Sequence, residues 1–189
     1  MKLSKITIVS GDITKQHDID AIVNAANDRL KGGHGVCGAI FKAAGWDAMQ
    51  ESCDTYPPDS NGIRCPTGFA RATPAHDLPN KAVIHAVGPI YNPHPLWDNQ
   101  NEDELASAYL ETLKLADTLM FNSIAFPAIS CGIYGYPMPE GARVALEAIK
   151  LGLELRPSIQ VVRIVFLPFG NGPELQAGFE AALKEMRDA

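Results

Sequence analysis

The sequence predicts an α/β fold, namely a three-layer α/β/α sandwich with a central, mixed but largely parallel sheet. Short runs of β-branched and apolar residues alternate along the chain with segments in which apolar residues recur at helical spacing. Strands joined by helices pair in parallel, and the helices then cover both faces of the sheet. The 189 residues contain no linker-like or low-complexity tract, so residues 1–189 are predicted to form one domain.

Four strands and one helix are predicted in the first half of the chain. β-branched residues and apolar alternation predict strands at residues 6–9, 21–26, 68–73 and 82–87. Between the second and the third strand, a glycine-rich stretch leads into a predicted helix over residues 35–44. One face of this helix is apolar and is expected to pack on the sheet, through Val36, Ala39, Ile40 and Ala43.

The second half of the chain begins with residues 92–100, whose prolines and asparagines predict a surface loop. Asn101 is predicted to cap a long helix, because three carboxylates follow it in the first turn, where they suit the helix dipole. The remaining predicted elements are a strand at 123–128, a helix from near Pro139, a strand at 160–167 and a closing helix at 173–187.

Composition and charge narrow the class of protein. The net charge is −6 and the 16 lysines and arginines are scattered, which disfavours a nucleic-acid partner. No apolar run is long enough to span a bilayer, and the four cysteines form no CxxC pair, a pattern typical of reduced thiols in a cytoplasmic protein. His34 and Cys37 have a metal-like spacing, but no second pair of ligands supports a zinc site.

Two glycine-rich loops follow predicted strands. The first loop (residues 32–35) opens a helix, and the second loop (residues 130–135) follows the strand at 123–128. In parallel sheets, ligands bind at the carboxyl ends of the strands, and glycine-rich backbone and helix N-termini bind phosphate. The pair of loops predicts a diphosphate site, although neither loop fits GxxxxGK[ST] or GxGxxG.

Six segments in register resemble the macrodomain family, which binds ADP-ribose. They are VSGDIT at 9–14, DAIVNAAN at 20–27, GGHGVCGAIFKAAG at 32–45, CPTGFA at 65–70, KAVIHAVGP at 81–89 and AFPAISCGIYGYP at 125–137. The likeness is strongest to the MacroD-type branch, which includes bacterial O-acetyl-ADP-ribose deacetylases and mono-ADP-ribosyl hydrolases. The resemblance implies a hydrolase of ADP-ribose derivatives or, alternatively, a non-catalytic reader of ADP-ribose.

The resemblance also implies the residues of the site. The ligand-binding set comprises Asp12, Ile13, Asn27, Gly33, His34, Gly35, Val36, Ser130, Cys131, Gly132, Ile133, Tyr134 and Phe169. Asp12 is expected to accept from the adenine amino group, and the amide of Ile13 is expected to meet another edge of that ring. Asn27 and Tyr134 are expected at the distal ribose, where they form the catalytic set with Cys37. Phe169 either stacks on adenine or is an ordinary core residue.

Cys37 and Phe41 depart from the MacroD-type pattern, which has an aspartate and usually a histidine at these two positions. Three interpretations of Cys37 remain open: an apolar wall, a thiol that positions ribose or water, or a nucleophile whose thiolate the helix N-terminus favours. His34 either supplies a base or faces solvent. Phe41 is expected to pack, and the buried Asn24 is expected to be satisfied by backbone groups.

The implied reaction is substrate-assisted hydrolysis by a water held between Asn27 and the ligand's own phosphate. It requires no metal and no cofactor. The expected partners are therefore ADP-ribose or an ADP-ribosylated protein, with no membrane contact, and the chain is expected to be a cytoplasmic monomer.

Overall fold

A computed structural model of the chain describes residues 2–189, in which six strands form one sheet. The strands are β1 (Ile6–Ser10), β2 (Ala21–Ala25), β3 (Ala70–Pro74), β4 (Ala82–Ala86), β5 (Ser123–Phe126) and β6 (Val161–Phe166). Their order across the sheet is β1-β6-β5-β2-β4-β3, and every neighbouring pair is parallel except the antiparallel pair β3–β4. The predicted mixed, largely parallel sheet is confirmed.

Five helices accompany the sheet: α1 (Gly35–Ala44), α2 (Trp46–Asp54), α3 (Asp98–Thr118), α4 (Glu140–Leu155) and α5 (Gly172–Asp188). Three short 3-10 turns lie at Leu3–Lys5, Ile13–Lys15 and Pro95–Trp97. The longest helix, α3, has 21 residues. Within residues 2–189, no helix is both long enough and apolar enough to cross a membrane.

Two separate groups of buried residues lie on the two faces of the sheet, which confirms the three-layer arrangement. On one face, α1 and α2 bury side chains that include Ile40, Phe41 and Met49. On the other face, α3, α4 and α5 bury theirs, among them Tyr109 and Phe179. Because both faces are covered, β4, which lies between β2 and the edge strand β3, is buried along its whole length.

The structure corrects the predicted start of α3. Residues 98–100 belong to this helix, and its N-cap is Trp97, which makes no side-chain capping bond. Asn101 is instead buried within the first turn, where its Nδ2 donates to the Asn92 carbonyl at 2.7 Å and its Oδ1 accepts from the Asn92 amide at 3.3 Å. The side chain of Asn101 therefore satisfies the backbone of the preceding loop, a long-range use that competes with capping.

Helix α2 is absent from the sequence prediction. Gly45, with φ of +88°, separates it from α1. Trp46 begins the new helix, which contacts α1 and β3. The predicted strand at 68–73 likewise begins later, at Ala70, because Gly68 has φ of +84°.

Candidate functional site

The five parallel strands end at one edge of the sheet, and the segments that follow them lie close together there; we refer to the space between these segments as the crevice. Backbone hydrogen bonds tie these segments together: the Gly11 amide donates to the Phe166 carbonyl at 2.7 Å, and the Ala26 amide to the Ala86 carbonyl at 2.9 Å. Both bonds link residues just beyond neighbouring strands, so the loops are anchored where the strands stop. This edge of the sheet is where ligands bind in open α/β folds.

The first and second loops approach each other across this crevice. A Cβ atom on Gly35 would lie 3.8 Å from Cδ1 of Ile133, a side chain of the second loop that is largely exposed. Gly35 also has φ of +61°, a conformation in which other L-residues are strained. Glycine at this position therefore allows the turn into α1 without backbone strain.

The first loop rests directly on the start of α1. A Cβ atom on Gly38 would lie 2.5 Å from the carbonyl oxygen of Gly33, which is closer than such atoms can approach. A Cβ on Gly33, by contrast, would find Cys37 Sγ at an ordinary 3.9 Å. Gly38 is thus the residue that allows the helix to pack under the loop.

Replacing Gly38 with alanine is expected to lower the free energy of unfolding by about 1 kcal/mol, even though alanine favours helix by about the same amount, because overpacking against backbone costs more. Denaturant unfolding measures the change. Gly178→Ala in α5 is the control, since a Cβ there would meet only the flexible end of Met138. Equal stabilisation by both substitutions would contradict the close approach of the first loop.

Asn27 holds the segment between β2 and the first loop. Its Nδ2 donates to the Lys31 carbonyl at 2.7 Å, and its Oδ1 accepts from the Lys31 amide at 3.1 Å. Leu30 has φ of +54° inside this turn. A primary amide has two N–H groups and two carbonyl lone pairs, so one of each remains for a ligand.

Cys37 is buried at the start of α1, and its sulfur has polar neighbours. Asn24 Nδ2 lies 3.5 Å from Sγ, and the Lys31 carbonyl accepts from the thiol at 3.8 Å. Burial raises the pKa of Cys37, and hydrogen bonds from Asn24 and the Gly33 backbone offset only part of that rise. The thiol is therefore neutral near pH 7, which disfavours the nucleophile interpretation and the expected help from the helix N-terminus.

Asn24 and Phe41 are both buried, and their partners differ in kind. Asn24 is buried, as expected, but its partner is a side chain rather than backbone: Nδ2 lies 3.1 Å from Nδ1 of His85. Phe41 is buried against Trp46 and His85, in agreement with packing. The sequence does not single out His85, since a single histidine within an apolar strand carries no local signal of its partners.

Asp12 uses one carboxylate oxygen locally. Oδ1 accepts from the amide and the hydroxyl of Thr14, at 2.9 and 2.7 Å, and so caps the 3-10 turn Ile13–Lys15. Oδ2 takes no part in this cap and lies 4.0 Å from Lys15 Nζ. The side chain is 39% exposed, which leaves Oδ2 accessible to a ligand at this edge of the sheet.

The second loop is a tight structure with unused amides. It is closed by three bonds, from the amides of Cys131, Gly135 and Tyr136 to the carbonyls of residues 128, 132 and 130. Within residues 2–189, the amides of residues 132–134 donate to no backbone carbonyl. Consecutive free amides of this kind suit an anion.

Ser130 anchors the second loop with φ of +64°. Its Oγ is buried, has no hydrogen-bond partner among the described residues, and packs against Gly88 so closely that a side chain there would clash. Cys131 is also buried, and burial raises the pKa of its thiol to about 12. Both side chains point into the protein, so any ligand at this loop meets its backbone.

Three aromatic or titratable residues predicted for the site differ in exposure. Tyr134 is half-buried, and burial, followed by the negative charge of Asp28, raises its pKa. Phe169 is 66% exposed, so the alternative that it is a core phenylalanine is wrong. His34 is exposed and precedes α1 without a side-chain capping bond, in line with the solvent-facing alternative. Within residues 2–189, no three His, Cys, Asp or Glu side chains are grouped for a metal.

A three-layer α/β/α domain with two glycine-rich loops at the carboxyl ends of its parallel strands is a nucleotide-binding type of fold. The chain belongs to the Macro domain family, whose family model matches residues 23–145. A Macro domain-containing protein of Xanthomonas campestris is 50% identical over 142 residues, which cover 75% of this chain and 76% of the relative. The O-acetyl-ADP-ribose deacetylase of Escherichia coli K12 is 46% identical over 147 residues, covering 77% and 78%.

Solved structures agree with this assignment. An Oceanobacillus iheyensis macrodomain variant solved with ADPR superimposes with a TM-score of 0.84 at 37% identity, covering 97% of this chain and 94% of that one. A Trypanosoma brucei macrodomain in complex with ADP-ribose has a TM-score of 0.77 at 31% identity, covering 96% and 69%. The fold is therefore that of the macrodomains along nearly the whole chain.

Proposed function

We propose that this macrodomain binds ADP-ribose in the crevice between the first and second loops and hydrolyses ADP-ribose derivatives. The observation that carries the binding proposal is the close approach of the two loops, with Ile133 3.8 Å from the Cβ position of Gly35. A diphosphate between them would meet the free amides of residues 132–134 and the N-terminus of α1. Relatives solved with ADPR or ADP-ribose support the same ligand.

This placement of the diphosphate would also position the two ends of the ligand, adenine and the distal ribose. Asp12 Oδ2 would accept from the adenine amino group, the Ile13 amide would meet another ring edge, and the exposed Phe169 would stack on the base. The distal ribose would lie beside Asn27 and Tyr134. Gly33, His34, Gly35 and Val36 would line one side of the diphosphate, and residues 130–134 the other.

Hydrolysis would use a water held between the Asn27 amide and a phosphate oxygen of the ligand. The water oxygen forms a bond to the anomeric carbon of an ADP-ribosylated protein, or to the carbonyl carbon of an acetyl ester. The bond to the acceptor or to the ribose oxygen breaks, and the phosphate passes the proton of the water to the departing oxygen. The amides of both loops stabilise the developing negative charge. The neutral Cys37 serves as a wall and as a hydrogen-bonding group.

A reader function is the second candidate, and Cys37 and Phe41 favour it. The thiol is neutral because burial raises its pKa, and the ring of Phe41 is buried, so neither supplies a carboxylate or an imidazole to the crevice. Tight binding of ADP-ribose without turnover would be the result for a reader.

The deciding experiment incubates the protein separately with a mono-ADP-ribosylated protein and with O-acetyl-ADP-ribose and follows product release. Calorimetry with ADP-ribose measures binding in parallel. We expect turnover of at least one substrate. Binding without turnover of either would establish the reader function, and absence of binding at saturating ligand would overturn both.

Substitution of Cys37 separates its possible roles in that assay. Cys37→Ser retains a hydrogen-bond donor and acceptor at the position, whereas Cys37→Ala removes both. We expect Cys37→Ser to retain most of the turnover and Cys37→Ala to lose more of it. Equal, near-complete loss in both variants would identify Cys37 as a nucleophile, contrary to the proposed mechanism.

A further inference from the structure

A series of buried polar groups lies beneath the first loop, and the proposed mechanism uses none of them except Cys37. Asn24 of β2 and His85 of β4 are directly paired in the sheet register, and both are fully buried. Cys37 of α1 and Cys53 of α2 contact this pair, on the face of the sheet that is otherwise covered by apolar side chains. Buried polar groups of this kind are destabilising unless they are paired, so their partners are informative.

The hydrogen-bond donors and acceptors among these buried groups define the tautomer of His85. Asn24 Nδ2 lies 3.1 Å from His85 Nδ1 and 3.5 Å from Cys37 Sγ, and an amide nitrogen can only donate. With the Asn24 amide in this orientation, Nδ1 of His85 accepts and Nε2 carries the hydrogen. Nε2 then donates to Thr73 Oγ1 at 2.9 Å, and the Thr73 hydroxyl points to the Met49 sulfur at 3.3 Å. Burial lowers the pKa of His85 to about 4, so the ring is neutral and able to accept.

The same series of hydrogen bonds continues outward from Asn24 to the crevice. The Cys37 thiol accepts from Asn24 and donates to the Lys31 carbonyl at 3.8 Å. That carbonyl also accepts from Asn27 Nδ2 at 2.7 Å. A continuous path of hydrogen bonds thus links the buried imidazole of His85 to the side-chain amide of Asn27.

We propose that His85 is a positioning residue for Asn27, acting through Asn24, Cys37 and the Lys31 carbonyl. The imidazole holds the Asn24 amide so that its second N–H faces the Cys37 sulfur. The thiol hydrogen then points to the Lys31 carbonyl, which sets the orientation of Asn27 in the crevice. The importance of that orientation for the ligand rests on the proposed function, whereas the path itself rests on the contacts.

The orientation of Asn24 is favoured by Nδ2, which meets both His85 Nδ1 and Cys37 Sγ. Its cost is Oδ1, which is buried and has no hydrogen-bond partner among the described residues. Rotating the amide would bring Oδ1 to His85 but would bury both N–H groups without these partners, since Oδ1 and Nδ2 would exchange places. It would also force His85 into the tautomer with hydrogen on Nδ1. The two orientations are therefore distinguishable by experiment.

The first test is heteronuclear NMR of the imidazole nitrogens in isotope-labelled, full-length protein near pH 7. We expect His85 to be neutral, with hydrogen on Nε2 and none on Nδ1. Hydrogen on Nδ1 would overturn the proposal, because Asn24 would then present its carbonyl to the ring and would have no N–H between His85 and Cys37. Neither result depends on turnover, so this test is separate from that of the proposed function.

The second test removes the far anchor of the path with the isosteric substitution Thr73→Val, which lies on β3 outside the crevice. We expect the side-chain amide resonances of Asn27 to shift and kcat to fall about tenfold with little change in KM, because misplaced catalytic groups lower transition-state stabilisation. Thr73→Ser retains the hydroxyl and should restore both values.

Thr112→Val is the matched control. Thr112 is also fully buried, but it lies in α3 on the opposite face of the sheet and donates only to the Ala108 carbonyl of its own helix. It should leave the Asn27 resonances and kcat unchanged. Unshifted Asn27 resonances in Thr73→Val, or equal shifts in Thr112→Val, would overturn the positioning role even if the protein hydrolyses its substrate.

Discussion

Replacing Asp12 with asparagine is expected to lower the affinity for ADP-ribose about a hundredfold, because the change places an N–H group where the adenine amino group needs an acceptor. In the structure, Oδ1 of Asp12 caps the turn at Thr14, and Oδ2 takes no part in that cap. An asparagine can keep the capping oxygen and present its NH₂ group in place of Oδ2. The free energy of unfolding is therefore expected to change little.

Asp12→Ala is the companion variant, because it removes both oxygens. It should lose ligand affinity to a similar extent and also lower the free energy of unfolding by about 1 kcal/mol through loss of the cap. Calorimetry measures the first quantity and denaturant unfolding the second. If Asp12→Asn binds ADP-ribose as tightly as the parent protein, the carboxylate does not read the adenine and the proposed orientation of the ligand is wrong.

Acidification is expected to remove about 3 kcal/mol from the free energy of unfolding between about pH 6.5 and pH 4, through the single residue His85. Burial lowers the pKa of His85 from 6.5 to about 4 in the folded protein. A group whose folded-state pKa is lowered binds its proton more readily when the chain unfolds. Its neutral form thus stabilises the fold above pH 6.5, and that contribution is lost as the pH falls through this window.

Between about pH 6.5 and pH 4, the change in the free energy of unfolding that is due to His85 is separate from that of the carboxyl group with the most strongly lowered pKa. The bidentate ion pair with Arg163 lowers the pKa of Asp18 to about 2, below this range. Denaturant unfolding across the pH range measures the slope, and the ring resonances of His85 should show no titration above about pH 5. The exposed His17 offers the control variant His17→Gln, which should keep the same slope. A His85 resonance that titrates near its ordinary value would contradict the burial argument.

Much of the fold was predictable because its signals are local. Apolar periodicity located all six strands and four of the five helices, and glycines marked the loops. The exceptions have particular causes. Helix α2 was missed because it begins directly after Gly45, whose positive φ separates it from α1. Asn101 had the sequence context of a cap, but its amide serves the backbone of Asn92 nine residues earlier.

The candidate site was likewise predictable from the sequence only in part. The loops at 32–35 and 130–135 were identified from their glycines and their positions after strands, and the structure brings Gly35 of one loop close to Ile133 of the other. The pairing of Asn24 with a side chain was not predictable, because its partner His85 is 61 residues away in the chain. Gly38 is similar, since only the position of the Gly33 carbonyl reveals that a side chain is excluded.

By itself, the sequence determined the order of the six strands and of four of the five helices within residues 2–189, the place of the two glycine-rich loops and the family to which the chain belongs. These features follow from periodicity and short motifs, which are properties of neighbouring residues. Only the tertiary structure decided the protonation state of the Cys37 thiol and the hydrogen-bond partners of the His85 imidazole. Protonation and hydrogen bonding depend on burial and on partners from other strands and helices, and the pairing of β2 with β4 and the packing of α1 supply both.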